Sequence, residues 1–220
     1  MPDPVGYIFM LKRLLLFVFI IFQSACSVVG IRSAEEAKFQ VIMEQGDFQL
    51  RQYATFVVAE TFIDSNFDKA GSEAFGRLFS YISGDNVSAE KIAMTAPVLA
   101  KRDAENSGQK IAMTAPVITE KQTEGWRYYF VLPQELTLSS APKPANPDVK
   151  LKEITSKKVA VIQFSGLWDE DVFNKKVSEL ESWILENNLE SISLPSFAGY
   201  DPPWTLPFLR RNEVLIDVEH

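Results

Sequence analysis

The sequence predicts an α+β domain in which a curved or barrel-like antiparallel sheet, built from two related β-β-α-β halves, carries two long helices. Several runs alternate between apolar and polar residues, which is typical of strands with one buried face. Two other stretches have the three- and four-residue apolar spacing of amphipathic helices. Apolar pairs of the first half also recur in the second half at a constant offset. Because helices seldom close such a sheet alone, we expect the sheet itself to curl into a distorted barrel.

Composition limits the class of protein. The chain has 220 residues, of which 46% are hydrophobic and 23% are charged. This is enough for a substantial core in one large domain or two small ones. The formal net charge of −7 argues against a nucleic-acid partner, for which a basic surface stripe is expected.

Residues 1–25 have the features of a signal peptide. Two basic residues, Lys12 and Arg13, precede the unbroken apolar run 14–22, which is too short for a membrane span. Met10 offers a compact alternative start for the same signal. We therefore predict that this segment is removed on export.

The only cysteine of the chain follows the predicted signal peptide. Ser24 and Ala25 precede Cys26, which resembles the cleavage site of bacterial lipoproteins, in which the cysteine is acylated. This predicts a membrane-anchored protein facing the periplasm or the cell exterior, with residues 26–37 as a tether. The alternative is a plain secretory signal with an incidental cysteine. A single cysteine also excludes an internal disulfide.

The first half begins with two predicted strands, 48–53 and 55–62, which we expect to form a hairpin. A helix over 67–82 follows, with a buried stripe of small and large apolar residues. Three further residues lie beside that stripe and widen the apolar arc to about half the circumference, so the helix lines a pocket or lies deep in the core. The stripe consists of Phe67, Ala70, Ala74, Leu78 and Tyr81, and the flanking residues are Phe75, Phe79 and Ile82.

An eight-residue segment occurs twice, at 91–98 and 110–117. Both copies alternate, which predicts two paired strands joined by the polar loop 100–109, with Met94 and Met113 on related faces. The alternative for each methionine is ordinary core filling. A further strand, 126–132, places Trp126, Tyr128, Phe130 and Leu132 on one side.

A proline-rich connector at 139–147 separates the predicted halves, which span about 38–138 and 148–220. The second half repeats the first: 149–152 corresponds to 48–51, and 159–160 corresponds to 58–59. Another amphipathic helix is predicted over about 169–188. Its buried stripe is Phe173, Val177, Leu180 and Ile184. The two halves are therefore expected to be related by a pseudo-two-fold axis.

The sequence offers little for catalysis. The single histidine is the terminal His220, so no Ser-His or Cys-His pair and no spaced metal-ligand cluster can be assembled. We predict no catalytic residues, no metal site and no enzyme. An activity acquired on the bound ligand remains the alternative, because a fold does not fix a function.

Four motifs carry a resemblance to a known family. They are the two Lys-Ile-Ala-Met-Thr-Ala-Pro-Val segments, Phe-Ser-Gly at 164–166, Gly-Tyr-Asp-Pro-Pro at 199–203 and Arg-Arg-Asn-Glu at 210–213. Together they resemble the SOUL haem-binding family, over nearly all of 39–218. The resemblance implies a distorted β-barrel over 38–220, similar to bacterial effector-binding domains. It also implies that haem or a related tetrapyrrole binds in an apolar groove beside the first helix.

The resemblance also implies site residues. Phe75, Leu78, Phe79 and Ile82 would form the apolar wall, Arg77 would meet the propionates unless it is merely solvated, and Met94 and Trp204 would act as lids. Arg210 and Arg211 are expected to form structural pairs with nearby acids.

Because a terminal residue such as His220 is a poor axial ligand, we expect haem binding without histidine ligation, for scavenging, buffering or delivery. The alternative is an effector-binding or interaction module for another flat hydrophobic ligand or a partner peptide.

Overall fold

The computed structural model describes residues 34–87, 108–167 and 169–219. It contains two long helices, a short 3-10 helix and twelve strands. The helices are α1 (Phe67–Ile82) and α2 (Glu170–Glu186), and the 3-10 helix is Pro207–Leu209. The strands are β1 (Phe39–Gln45), β2 (Phe48–Tyr53), β3 (Phe56–Ile63), β4 (Asn86–Val87), β5 (Val117–Lys121), β6 (Trp126–Val131), β7 (Lys143–Pro144), β8 (Val149–Ile154), β9 (Lys157–Phe164), β10 (Glu190–Ser191), β11 (Ser196–Gly199) and β12 (Asn212–Glu219).

Ten of these strands form one antiparallel sheet. Its order is β1-β2-β9-β12-β11-β5-β6-β3-β8, with β10 paired to β12, while β4 and β7 pair with each other. The sheet curls into a half-barrel that carries both long helices. The predicted α+β class and its curved antiparallel sheet are confirmed. Within the described ranges, no helix is both long and apolar enough to cross a membrane.

The sheet has an internal pseudo-two-fold symmetry. The corresponding strands of the two halves are β2 and β8, β9 and β3, β12 and β6, and β11 and β5. In the order from β2 to β8, the two members of each pair stand equally far from the two ends. Leu50 of β2 pairs with Ala160 of β9, and Leu151 of β8 pairs with Ala59 of β3. Each residue of one pair stands 101 positions from its counterpart in the other. The register therefore confirms the predicted relation between the halves.

The predicted hairpin between the first two strands of the first half is wrong. β2 pairs with β1 and β9, whereas β3 pairs with β6 and β8. The short link between them, Ala54 and Thr55, lacks the glycine or asparagine that a tight hairpin turn needs. Thus β2 of the first half pairs with β9 of the second half, and β8 of the second half pairs with β3 of the first half.

The repeated segment also differs from its prediction. Its first copy, with Met94, lies outside the described residues, and its second copy forms no strand before Val117. The backbone N–H groups of the second copy bond elsewhere: Ile111 donates to the Ile82 carbonyl at 2.8 Å, and Ala115 donates to the Glu35 carbonyl at 2.9 Å. This copy is therefore an extended link between the end of α1 and the N-terminal residues.

The two helices cover the convex face of the sheet, one over each half. The side chain of Asn66 caps α1 and that of Asp169 caps α2, each accepting from the backbone N–H three residues later. Under α1 lie Ala70, Ala74, Leu78 and Tyr81, as predicted. Under α2 lie Leu180 and Ile184, as predicted, together with Trp183. A third apolar cluster occupies the concave face.

The connector over 139–147 contributes a short strand to the structure. Lys143 and Pro144 pair with Val87 and Asn86. The proline sits at the edge of this two-stranded ladder, where its missing N–H is tolerated. The connector is thus fastened near the C-terminal end of α1.

Candidate functional site

The outer face of α1 presents two aromatic rings to solvent. Phe75 is 43% exposed and Phe79 is 46% exposed. Their ring centroids lie 5.7 Å apart, and the ring planes differ by 11°. Phe75 also contacts the buried Phe130 of β6 in an edge-on arrangement at 5.4 Å. The core therefore fixes one ring, and the second ring stacks on the first, which makes an exposed apolar surface.

Small residues surround this aromatic pair. Ser72, Gly76 and Ser80 are all exposed on the same stretch of helix, and a Cβ atom added to Gly76 would meet no atom within 4 Å. One helical turn separates Ser72 from Phe75 and Gly76 from Phe79. A planar molecule can thus approach the two rings without meeting large side chains of α1.

Two of the predicted wall residues lie beneath this surface. Leu78 and Ile82 are buried against the sheet in the core cluster under α1. They are core residues and hold the helix in place, because their positions on α1 face the sheet. The structure therefore brings Phe75 and Phe79 together at the surface and separates them from Leu78 and Ile82.

Arg77 lies on another flank of α1. Two residues along a helix are about 200° apart, and Arg77 turns toward β3, where it approaches the Phe62 carbonyl at 3.4 Å. Its guanidinium pairs with Glu73 at 2.6 Å and with Asp148 at 3.3 Å. Arg77 is thus ion-paired and lies away from the aromatic pair, and its contact with propionates stays a prediction.

The loop between β11 and β12 carries Trp204, which is 66% exposed. Arg210 holds this loop through the carbonyls of Pro203 and Thr205, and Gly166 donates to the Pro207 carbonyl at 2.8 Å. Among the described residues, Trp204 makes no ring contact with Phe75 or Phe79. The other predicted site residues, Cys26 and Met94, lie outside the described residues, as does the terminal His220.

A buried ion-pair cluster on the concave face was missed by sequence reasoning. Arg51 of β2 donates two hydrogen bonds to Glu213 of β12, at 2.8 and 2.9 Å, and both side chains are fully buried. The Tyr200 hydroxyl also donates to Glu213, at 2.7 Å. Arg211 pairs with Glu213 and with Glu36, which confirms the structural role predicted for Arg211. Arg210 instead bonds to carbonyls.

Burial and charge oppose each other in this cluster. Burial alone would raise the pKa of Glu213, but the hydrogen bonds and charge of Arg51, joined by the charge of Arg211, outweigh it and hold that pKa below its ordinary value. Glu213 is therefore an anion at neutral pH. The motif Arg-Arg-Asn-Glu was the available signal, but its buried partner Arg51 lies 162 positions away.

Beside this cluster the concave face opens into a cleft of about 210 Å³. Glu120 of β5 accepts a hydrogen bond of 2.6 Å from the Tyr129 hydroxyl inside it. Burial, together with the adjacent Glu120 carboxylate, raises the pKa of Tyr129. The lining also includes Phe39, Tyr53, Phe56, Val58, Ile118, Ile154, Val159, Tyr200 and Leu215.

A comparison with models of protein families identifies the family of the chain. The family model described as SOUL heme-binding protein matches residues 34–107 and 102–217. The chain belongs to the SOUL family. The resemblance carried by the four motifs is thereby confirmed.

Relatives of this SOUL-family chain agree with the fold. Heme-binding protein 1 of Sus scrofa is 29% identical over 152 residues, which cover 69% of this chain and 72% of that protein. The crystal structure of the EcmrR C-terminal domain has a TM-score of 0.54 at 11% identity and covers 82% of this chain and 98% of its own. A protein described as a hydrolase from Listeria innocua has a TM-score of 0.54 at 10% identity, covering 81% and 94%. At such identities, these two structures support the fold alone.

The donor chemistry of this SOUL-family chain bears on how a haem group would be held. Within residues 34–87, 108–167 and 169–219, no group of three or more His, Cys, Asp or Glu side chains is arranged to hold a metal ion. Those ranges contain no histidine at all. Met113, from the second copy of the repeated segment, is 46% exposed, and its neighbour Ile111 bonds to the C-terminal end of α1.

Proposed function

We propose that this SOUL-family chain binds haem or a related tetrapyrrole on the outer face of α1. The observation that carries the proposal is the exposed, nearly parallel pair formed by Phe75 and Phe79. A tetrapyrrole is a flat apolar ring system, and aromatic side chains stack favourably on such rings. Family membership and the name of the porcine relative support the same ligand class.

Apolar contact is sufficient for this binding. Covering several hundred Å² of macrocycle at about 25 cal/mol per Å² gives on the order of 10 kcal/mol before the costs of association, which is enough for micromolar affinity. An axial histidine is therefore unnecessary. Met113 and the predicted lid residue Met94 are the proposed additional contacts, because a flexible thioether adapts to an irregular surface and can approach iron.

The first test is a spectroscopic titration of haemin and of iron-free protoporphyrin. We expect both ligands to saturate a single site with similar affinity. Phe79→Asp should weaken both at least about tenfold, since a charge in the stacking surface opposes apolar burial. Phe208→Asp is the matched control, because Phe208 is 69% exposed on a different segment. That variant should bind both ligands as the unmodified protein does.

Two results would contradict the proposal. If haemin binds and iron-free protoporphyrin does not, metal ligation rather than apolar contact holds the ligand. If Phe79→Asp and Phe208→Asp weaken binding equally while both stay folded by circular dichroism, the α1 surface is not the site.

We further propose export and acylation at Cys26, which would place the ligand site at a membrane facing the periplasm or the cell exterior. In bacterial cells supplied with an alkyne-tagged fatty acid, the protein should be labelled and should partition with detergent. Cys26→Ser should lose the label and appear in the soluble fraction. An unlabelled but exported protein would support the plain secretory signal instead.

Binding without chemistry is the proposed activity, in the service of scavenging, buffering or delivery. The bound tetrapyrrole should be recovered unchanged after prolonged incubation, as judged by its absorption spectrum and mass. Transfer to an acceptor apoprotein would separate delivery from storage. Loss of the macrocycle with turnover would establish an enzyme instead.

A further inference from the structure

The loop between β11 and β12 presents large apolar side chains to solvent. Trp204 is 66% exposed, Leu206 is 40% exposed and Phe208 is 69% exposed. Thr205, between the first two, is 1% exposed and anchors the loop to the domain. Leu167, which follows β9, is 64% exposed. Exposed apolar side chains gathered in one place mark contacts with a protein or a membrane.

Backbone hydrogen bonds order this loop and join it to the end of β9. The Leu209 N–H donates to the Leu206 carbonyl at 2.9 Å. The Gly166 N–H donates to the Pro207 carbonyl at 2.8 Å, which brings the adjacent Leu167 to the loop. The exposed side chains are therefore held together on one ordered surface. This surface, the apolar loop patch, consists of Leu167, Trp204, Leu206 and Phe208.

The N-terminal part of the chain meets the domain at the base of this loop. The Arg211 N–H closes the base by donating to the Asp201 carboxylate at 2.7 Å, and the Arg211 guanidinium pairs with Glu36 at 3.1 Å. Glu36 stands ten positions after Cys26, and ten residues span at most about 36 Å when fully extended. A lipid on Cys26 would therefore keep the base of the loop within about 36 Å of a bilayer.

The residue types of the apolar loop patch suit a bilayer surface. Tryptophan is enriched where membranes meet water, because its apolar rings carry a polar N–H group. Phenylalanine and leucine side chains insert at the boundary between headgroups and acyl chains.

Charge does not favour anionic lipids at this surface. Asp169, Glu170 and Asp171 are exposed at the start of α2, just after Leu167, although Lys121 pairs with Glu170 at 2.9 Å. The attraction to a bilayer is therefore expected to be apolar, and anionic headgroups should not strengthen it.

We propose that the apolar loop patch inserts into the surface of the bilayer that carries the Cys26 anchor, an inference that rests on the acylation proposed above. The patch alone supports only transient association, because few side chains are inserted. The anchor raises the effective concentration of the patch at the bilayer to the millimolar range, so insertion persists. Two attachments then give the folded domain a fixed orientation on the membrane, which one flexible tether cannot give.

The first test replaces acylation by a chemical anchor. The chain without residues 1–25 keeps every residue that the structure describes, and its only cysteine, Cys26, is coupled to a maleimide lipid in phosphatidylcholine vesicles. Phosphatidylcholine with a doxyl group near the headgroup then quenches tryptophans that lie at the bilayer surface. Quenching should be largely lost in Trp204→Phe, which removes this fluorophore and keeps an apolar ring.

The second test measures association without an anchor. In the same chain with Cys26→Ser, the double variant Trp204→Ser and Phe208→Ser should weaken flotation with phosphatidylcholine vesicles at least about tenfold. The matched control is Leu185→Ser with Ile192→Ser, whose side chains are 75% and 51% exposed. Ile192 bonds to Asp217, near the opposite end of β12 from the patch. This control should associate as the Cys26→Ser chain does, and added phosphatidylglycerol should not strengthen association.

Three results would overturn the proposal. The first is equal quenching in Trp204→Phe and the unmodified chain. The second is equal association of the two double variants while both stay folded by circular dichroism. The third is a dimer in lipid-free solution that the variant of Trp204 and Phe208 converts to a monomer in sedimentation, which would assign the patch to a second copy. Neither vesicle test needs acylation in cells, so failure of the patch and failure of the acylation are distinguishable.

Discussion

At the scale of single residues, Glu213 compensates the buried positive charge of Arg51 on the concave face. Its carboxylate receives two hydrogen bonds from Arg51, and both side chains have no exposed surface. Removing one member of such a pair leaves the other charge buried and uncompensated. We expect Glu213→Gln to lower the free energy of unfolding at pH 7 by about 3–5 kcal/mol in urea titrations. Glu153→Gln, on the exposed face of β8, should change it by less than about 0.5 kcal/mol.

The same residue predicts an acid dependence of stability. Since the pKa of Glu213 is lower in the folded protein than its ordinary value near 4.5, the unfolded chain takes up the proton first as pH falls. The stabilisation is fully present above about pH 4.5 and is lost as pH falls toward the folded pKa. Unfolding midpoints measured from pH 7 to pH 3 should therefore decline more steeply for the unmodified protein than for Glu213→Gln. Parallel declines would assign the acid sensitivity to other carboxylates.

At the scale of the elements, two turn glycines make a matched comparison. Gly46 and Gly125 both have positive φ, at 61° and 80°. A Cβ atom at Gly46 would meet nothing within 4 Å, whereas one at Gly125 would lie 2.2 Å from the Ile63 carbonyl oxygen. Gly46→Ala should cost about 1–2 kcal/mol through its φ alone. Gly125→Ala should cost clearly more, because β3 must also move, and equal losses in thermal unfolding would contradict this.

Elements with strong periodicity could be predicted from the sequence. In β6, Tyr128 and Phe130 face α1 with Leu132, as their alternation indicates. Four stripe residues of α1 and two of α2 are buried as predicted, because each stripe depends on spacing within one element, while Phe173 and Val177 are half-buried.

Pairing between distant elements was harder to predict. The repeated segment alternates like a strand, yet its N–H groups bond to the end of α1 and to Glu35. Arg51 lies in an alternating strand, but its burial depends on Glu213, far along the chain. At the candidate site, the helical spacing located Phe75 and Phe79, but only the packed structure separates them from Leu78 and Ile82. The cleft depends on several strands and has no local signal.

At the scale of the whole molecule, the exchange of first strands makes the halves depend on each other. β2 lies beside β9 of the second half, and β8 lies beside β3 of the first. We expect the fragments 34–138 and 139–219 to show no cooperative unfolding when each is studied alone at micromolar concentration. Mixed in equal amounts, they should form a 1:1 complex with the β-sheet spectrum of the intact chain, as measured by circular dichroism and size-exclusion chromatography. Independent folding of either fragment would contradict this.

The exchange of β2 and β8 also relates this chain to a dimer of two half-length chains. A lone half offers a strand to donate and a vacant sheet position that accepts the same strand, which are the self-complementary surfaces of a strand-swapped homodimer. Joining two such copies through the connector turns a concentration-dependent association into an intramolecular closure, with an effective concentration in the millimolar range. Once joined, the two copies are free to diverge. A symmetric dimer must place the same residues in both of its halves, whereas one chain can keep the ion pair of Arg51 and Glu213 and place Lys152 and Arg127 at the corresponding positions.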